Sequence, residues 1–167
     1  MRRPDWESDF EEFVLAAWQR LRRAAYLMTG SHHDAEDLVQ SVLAKMYASW
    51  PRVRNTDVYA YAWRSLLNAN IDRSRRRRFI EVHQFPEVID QPPEPGIEHR
   101  DQIVDLLASL TQRERAMVVL RYYCDASVEQ VADHLGVSEG TVKSVTSRAL
   151  AKLRVQPSSA IPEGNRS

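Results

Sequence analysis

Apolar residues recur three or four positions apart through residues 10–77, which is the spacing of a buried face on each of several α-helices. The first predicted helix ends at Thr29-Gly30-Ser31, where glycine suits a C-cap, and Ser31 or Asp34 can cap the next. A second helix is predicted from Asp34 to Trp50, stopped by Pro51, and a third from about Val58 to Arg77. The predicted buried positions are Phe10, Phe13, Val14, Ala17, Leu21, Ala24, Ala25, Leu27, Ala35, Leu38, Val39, Val42, Leu43, Met46, Tyr47, Tyr59, Ala62, Trp63, Leu66, Leu67 and Ile71.

Shorter helices are predicted after residue 100. Gln102 to Ser109 forms one, and Thr111 caps the next, with Glu114 three residues later in a capping-box arrangement. The segment SVEQVADHLGVSEGTVKSVTSRALAKLR then contains two helices around a tight turn. No segment shows the strict alternation of a β-strand, so the predicted fold class is all-α, with two small helical domains.

Residues 79–99 interrupt the helical pattern. They contain four of the eight prolines and five acidic residues, with no lysine or arginine. Such a composition predicts a flexible, acidic, proline-rich linker between a domain at 1–78 and a second at 100–155, with a polar tail at 156–167. The composition alone indicates no more than a solvated tether.

Charge is balanced overall but uneven along the chain. The 23 lysines and arginines equal the 23 aspartates and glutamates, so the usual inference from a basic protein to nucleic acid fails here. Residues 73–78, however, read RSRRRR, directly before the acidic linker. The charge therefore indicates a local basic segment and not a basic protein.

The C-terminal helical pair has the residues that a DNA-reading helix-turn-helix requires. Ala132 is small where the two helices approach, Gly136 can take positive φ in the turn, and Val142 anchors the second helix. Short polar and cationic side chains on that helix suit base edges and phosphates of the major groove. The predicted DNA-binding residues are Ser138, Glu139, Thr141, Lys143, Ser144, Thr146, Ser147 and Arg148.

Other classes of protein receive little support. The N-terminus has no apolar signal segment and no stretch is long enough to insert into a membrane, so a cytoplasmic protein is expected. The single cysteine, Cys124, is expected to be a small buried hydrophobe. His32 and His33 beside three acidic residues superficially suggest a metal or acid-base cluster, but no distant third ligand group or phosphate loop accompanies them. We therefore expect no metal, no cofactor and no enzymatic activity.

Over residues 10–154 the order of these segments resembles an extracytoplasmic-function sigma factor of the sigma-70 family, which confers promoter specificity on RNA polymerase. The segments are FEEFVLAAWQRLRRAAYLMTGSHHDAEDLVQSVLAKMYASW, YAYAWRSLLNANIDRSRRRR, the acidic linker, LTQRERAMVVLRYY and the helix-turn-helix. Within the family the chain is most similar to short actinobacterial members labelled SigE-like. The resemblance implies core RNA polymerase and promoter DNA, both duplex and melted non-template strand, as partners.

The same resemblance implies separate roles for the segments. DAEDLVQ matches the motif that docks on the polymerase, at Asp34, Asp37 and Gln40, although Ser41 stands where many relatives have an acidic residue. The third helix and the loop before it match the minus-10 element reader, and the helix-turn-helix matches the minus-35 reader. The candidate minus-10 residues are Arg52, Arg54, Asn55, Tyr61, Arg64, Ser65, Asn68, Asn70, Arg73, Arg75, Arg76, Arg77 and Arg78.

Several alternatives stay open at this point. An autonomous repressor or activator could use the same helix-turn-helix. Trp63 and Tyr59 could stack on bases, but their helical spacing favours core packing, because aromatic residues at that spacing usually pack. The acidic linker is either a tether or, as the resemblance implies, a segment that enters the polymerase cleft. The sequence does not say whether an anti-sigma protein binds the chain.

Overall fold

The structure is a computed structural model that describes residues 4–83 and 101–155. It contains seven α-helices and, within those two ranges, no strand, which confirms the all-α prediction. In chain order they are α1 (Asp5–Thr29), α2 (His32–Val53), α3 (Val58–His83), α4 (Gln102–Ala108), α5 (Gln112–Val118), α6 (Val128–Leu135) and α7 (Glu139–Val155). A wider π-helical turn, Val119–Tyr123, extends α5.

Helices α1, α2 and α3 pack together as an N-terminal bundle. The predicted apolar faces line its interior, and Leu21, Met46, Leu66 and Leu67 are fully buried. Tyr47 is the exception to the predicted buried set, because it is 42% exposed and its hydroxyl donates to the Glu7 carboxylate at 2.9 Å. Gly30 ends α1 with φ of 73°, and the Ser31 hydroxyl accepts the backbone N–H of Asp34 at 3.3 Å. The predicted boundary between the first two helices is therefore confirmed, with Ser31 and not Asp34 as the cap.

Two predicted helix ends are wrong. Helix α2 continues through Pro51 to Val53, because proline removes only one donor in the last turn and the N–H of Arg54 still reaches the Trp50 carbonyl at 2.9 Å. Helix α3 continues past Arg77 to His83, so residues 79–83 of the predicted linker are helical. The rest of that linker and the polar tail at 156–167 lie outside the described residues.

An aromatic cluster joins α1, α2 and α3. Phe10 and Phe13 of α1 contact the Trp50 ring at centroid distances of 5.0 and 5.2 Å, and Phe13 also contacts Tyr59 of α3 at 5.5 Å. Trp63 is only 4% exposed. The core interpretation of Tyr59 and Trp63 therefore holds, because both rings pack within the bundle.

The C-terminal helices form a second, smaller unit in which α7 packs on α5 and α6. Thr111 and Glu114 form the predicted capping box of α5, and Ser127 with Gln130 forms another at the start of α6. The π-helical turn places the N–H of Cys124 on the Val119 carbonyl at 3.0 Å. Cys124 is 5% exposed and burial raises the pKa of its thiol to about 12, which confirms its reading as a buried hydrophobe.

The two units share one continuous hydrophobic core. Residues 24–28 of α1 are all buried, because one side of the helix faces α2 and the other faces α4, α5 and the π-helical turn. Arg115 of α5 donates hydrogen bonds to the carbonyls of Met28 (3.1 Å), Leu107 (3.0 Å) and Leu110 (3.2 Å). One guanidinium thus ties the end of α1 to the C-terminal unit.

Polar contacts surround this apolar junction. Arg23 pairs with Asp101 at 2.5 Å, and this contact holds the pKa of the Asp101 carboxyl below its usual range. The Gln112 amide donates to the Ser74 hydroxyl of α3. None of the described helices is long and apolar enough to cross a membrane.

Replacing Arg115 with methionine should lower the free energy of unfolding by about 2 kcal/mol, because three buried carbonyls lose a charged donor. Arg113, two residues away and exposed, provides the matched control. Arg113→Met should change stability by less than about 0.5 kcal/mol in the same urea titration. Equal effects of the two substitutions would show that the junction does not depend on the Arg115 contacts.

Candidate nucleic-acid interface

Helix α7 presents a polar face to solvent. Lys143, Ser144, Ser147 and Arg148 are all exposed, and their spacing of three and four residues puts them on one side of the helix. Glu139 begins the helix and is also exposed. The predicted polar surface of the second helix is therefore present, with two cations and short hydroxyl side chains along it.

The turn before α7 has the predicted chemistry. Gly136 takes φ of 65°, and Val142 is fully buried behind the turn. The Ser138 hydroxyl accepts the Thr141 N–H at 3.1 Å and contacts the Thr141 hydroxyl at 2.9 Å. Ser138 therefore caps α7, and its side chain is partly committed to that cap.

Thr146 is a correction to the predicted set. It lies one turn after Val142 on the inward face and is only 6% exposed. Its hydroxyl donates to the Val142 carbonyl at 2.7 Å, so the polar group is satisfied inside the helix. The expectation that α7 exposes Thr146 is wrong.

Helix α3 carries a second polar surface, which we call the α3 stripe. Its members follow the three- and four-residue spacing of one helix face and extend over about 22 Å. They are Tyr61, Arg64, Ser65, Asn68, Arg75 and Arg76. Tyr61 and Ser65 are half-buried and the other four are exposed.

The loop before α3 adjoins the end of α2. Arg52 and Asn55 are exposed, and the Arg54 guanidinium pairs with Asp9 of α1 at 3.1 Å. The Asp57 carboxylate accepts the Ala60 N–H at 3.0 Å and so caps α3. The loop is thus held at both ends, by an ion pair and by a helix cap.

Three candidate minus-10 residues lie on the opposite side of α3. Asn70 is 4% exposed, which contradicts the expectation that it is available to a ligand. The Arg73 and Arg77 guanidiniums both donate to the Asp34 carboxylate, Arg77 at 2.8 Å. The basic run therefore divides, since Arg73 and Arg77 pair with Asp34 while Arg75, Arg76 and Arg78 are exposed on other sides of the helix. The Arg77 side chain is itself 56% exposed despite this pairing.

A polar cleft of about 230 Å³ lies beside this ion-pair cluster, where α3 faces α5. It is lined by Met28, Thr29, Asp34, Asn70, Arg73, Ser74, Arg77, Gln112 and Arg115. The cleft belongs to the junction between the two units, because residues of α1, α2, α3 and α5 all contribute to it.

The DAEDLVQ segment forms the first turns of α2. Asp37 and Gln40 are exposed, three residues apart, and Ser41 is exposed beside them. Leu38, Val39 and Val42 are buried beneath. Asp34 differs from the other two matched residues, because its side chain is 10% exposed and faces α3.

The histidines that suggested a metal cluster have other partners. The His32 ring stacks on Tyr26 at 3.9 Å, and His33 Nε2 lies 3.5 Å from the Asp37 carboxylate. Within the described residues, no group of three or more histidine, cysteine, aspartate or glutamate side chains could hold a metal ion.

Sequence reasoning missed the residues that join distant segments. Asp9 holds Arg54, Arg115 holds the end of α1, and His134 of α6 lies near Arg64 of α3. Burial, and then the Arg64 charge, lower the pKa of His134. Local spacing contains no signal for such pairs, since each links residues that are far apart in the chain.

The chain matches two family models. The one described as sigma-70 region 2 matches residues 14–80, and the one described as sigma-70, region 4 matches residues 106–155. The first match includes the α3 stripe and the exposed face of α2, and the second includes α7.

Similar curated proteins include the RNA polymerase sigma-E factor of Streptomyces coelicolor, 37% identical over 87% of this chain and 84% of that protein. The extracytoplasmic-function sigma factor SigL of Mycobacterium tuberculosis is 31% identical over 87% and 85%.

Solved structures share the arrangement. The sigma factor RpoE of Bartonella quintana, in complex with the anti-sigma factor NepR, superposes with a TM-score of 0.70 at 28% identity, covering 87% of this chain and 94% of that one. CnrH, in complex with the cytosolic domain of CnrY, has a TM-score of 0.64 at 22% identity over 89% and 86%, which shows the fold alone.

The two glycines of the helix-turn-helix should respond oppositely to alanine. Gly136→Ala should lower the free energy of unfolding by about 1 kcal/mol, because positive φ strains any residue with a Cβ. Gly140 is helical, and a Cβ there meets only the Ser138 hydroxyl at 3.9 Å. Gly140→Ala should therefore raise that free energy by about 0.5 kcal/mol in urea unfolding. A stabilising Gly136→Ala would contradict the turn geometry.

Proposed function

Because the chain belongs to the extracytoplasmic-function sigma factors of the sigma-70 family, we propose that it binds core RNA polymerase through the exposed face of α2. The N-terminal domain then melts the minus-10 element, and the C-terminal domain binds the minus-35 element as double-stranded DNA. The observation that carries this division is the pair of separate, solvent-exposed polar surfaces, the α3 stripe and the α7 face. The proposed boundaries are 1–78 and 100–155, joined by the linker.

On α2 the proposed polymerase contacts are Asp37 and Gln40. They lie one turn apart and are exposed, while buried Leu38, Val39 and Val42 fix the helix beneath them. A docking surface needs polar groups that project from a rigid element, and this turn of α2 supplies both features.

The α3 stripe suits melted DNA. A single strand is captured by stacking of bases on aromatic rings and by cations along its backbone. Tyr61 supplies a ring, and Arg64, Arg75 and Arg76 supply cations along one line. The last turn of α2 and the loop after it, with Arg52, Arg54 and Asn55, form the proposed pocket for a flipped base.

The α7 face suits duplex DNA. Ser144 and Ser147 can approach base edges, while Lys143 and Arg148 can neutralise phosphates. Each good base contact contributes only about 1–3 kcal/mol, which is too little for selection among genomic sites. Two modest half-sites held on one polymerase combine through effective concentration, so tethering supplies the missing affinity.

Further parts of the proposal concern partners and setting. The protein acts in the cytoplasm and performs no bond chemistry of its own. The acidic linker enters the polymerase cleft, where its carboxylates occupy the path of nucleic acid. An anti-sigma protein is a proposed partner, supported by the RpoE structure, which contains the anti-sigma factor NepR.

Promoter binding should depend on the polymerase. With zero net charge, the isolated chain should not shift a promoter duplex in a native gel at concentrations where the chain with core polymerase does. An autonomous repressor is the rival function, and it would bind the duplex unaided. A specific shift by the chain alone would therefore favour the rival.

Cations of the α7 face should contribute to minus-35 binding. Lys143→Ala and Arg148→Ala should each weaken binding of the holoenzyme to promoter DNA. Each should also lower the magnitude of the slope of log binding constant against log salt concentration by about one unit, because each loses a phosphate contact. Lys152 is the matched control on the same helix, since its ammonium pairs with Glu114 at 2.7 Å. Lys152→Ala should leave the slope unchanged, and a loss equal to that of Lys143→Ala would argue against this face.

A further inference from the structure

Both carboxylate oxygens of Asp34 are engaged by arginines of α3. One carboxylate oxygen accepts a hydrogen bond from Arg73 and the other accepts one from Arg77 at 2.8 Å. The Asp34 carbonyl also accepts from Arg73, at 3.4 Å. Only 10% of the Asp34 side chain is exposed, and 26% of the Arg73 side chain, so the contact with Arg73 is largely shielded from solvent, whereas the Arg77 side chain is 56% exposed.

The position of this contact determines what it can do. Asp34 lies in the first turn of α2, while Arg73 and Arg77 lie one turn apart in the C-terminal half of α3. The Asp34 carboxylate thus joins the start of α2 to the part of α3 that also carries Arg75 and Arg76. Charged hydrogen bonds at low exposure fix orientation more strictly than apolar contacts do.

The neighbouring motif residues behave differently. The Asp37 side chain is 54% exposed and Gln40 is exposed, on the outer face of α2. A single sequence motif therefore contains two kinds of residue, one nearly buried against α3 and two that are exposed.

We propose that Asp34 is a positioning residue for the promoter-facing surface and not a polymerase ligand. Its carboxylate holds Arg73 and Arg77 and thereby sets the orientation of the α3 stripe, leaving Arg75, Arg76 and Arg78 to contact phosphates. The inference rests on the proposed function and gives a role to three candidates from the sequence that the proposed function does not use. Asp34 matched the polymerase-docking motif, and Arg73 and Arg77 were candidate minus-10 residues; all three instead hold α2 and α3 together.

The first test compares two identical chemical changes on one helix. The dissociation constant of Asp34→Asn for fluorescently labelled core polymerase should lie within about twofold of the wild-type value. The constant of Asp37→Asn should be at least about fivefold higher, because that variant loses one exposed polar contact with the polymerase. With holoenzyme saturated and the variant fully folded, Asp34→Asn should give about tenfold less permanganate-reactive open complex. Asp34→Glu, which keeps the charge, should recover part of that loss.

A double-mutant cycle tests the ion pairs between Asp34 and α3 in the isolated chain. Asp34→Asn and Arg77→Gln remove the same interaction, so their effects on the unfolding equilibrium should be clearly less than additive. Arg76→Gln is the matched control in the same basic run, and its effect should add to that of Asp34→Asn. Because Arg77 is the more exposed arginine, this variant should fold even if changes at Arg73 prevent folding.

The inference is overturned if Asp34→Asn weakens core binding as much as Asp37→Asn does, or if it melts promoter as well as the wild type. Additivity with Arg77→Gln would also overturn it. If instead Asp37→Asn leaves core binding intact, α2 does not bind the polymerase through its exposed face. The double-mutant cycle still tests the ion pairs between Asp34 and α3, because it is measured without polymerase.

Discussion

The C-terminal end of α1 holds the two helical units together. Residues 24–28 are buried on every side, so the N-terminal bundle and the C-terminal unit must both pack against them. Arg115 adds a charged donor to three carbonyls at that junction, including one at the end of α1. Separating the units would expose the apolar residues and break the Arg115 contact with the Met28 carbonyl, which makes a packed arrangement favourable for the chain by itself.

This packing leaves the polar surfaces outward. The α3 stripe and the α7 face are on different units, and most of their members are exposed. Their cations are balanced elsewhere by acidic residues, so the chain has local basic surfaces without net charge. Under the proposed function, zero net charge keeps nonspecific DNA binding by the isolated chain weak. The chain then binds promoters well only within the assembled polymerase.

Most of the fold followed from local patterns. The apolar spacing predicted the helices, and Gly30, Thr111 and Gly136 marked their ends because a cap depends on neighbouring residues only. Pro51 was misleading, since its effect depends on how near it lies to the end of the helix. The sequence also could not predict which arginines of residues 73–78 pair within the protein. All the arginines of this run are chemically alike, and only the crossing of α2 and α3 brings Asp34 to Arg73 and Arg77.

The central claim is that these helices recognise a start site only when mounted on RNA polymerase. The most direct measurement is run-off transcription with an actinobacterial core enzyme and genomic fragments, followed by mapping of the transcript starts. The account predicts discrete starts, each a fixed distance downstream of shared minus-35 and minus-10 sequences, that appear only when the chain is added. Failure to form a holoenzyme, or a holoenzyme that initiates nowhere specific, would contradict it.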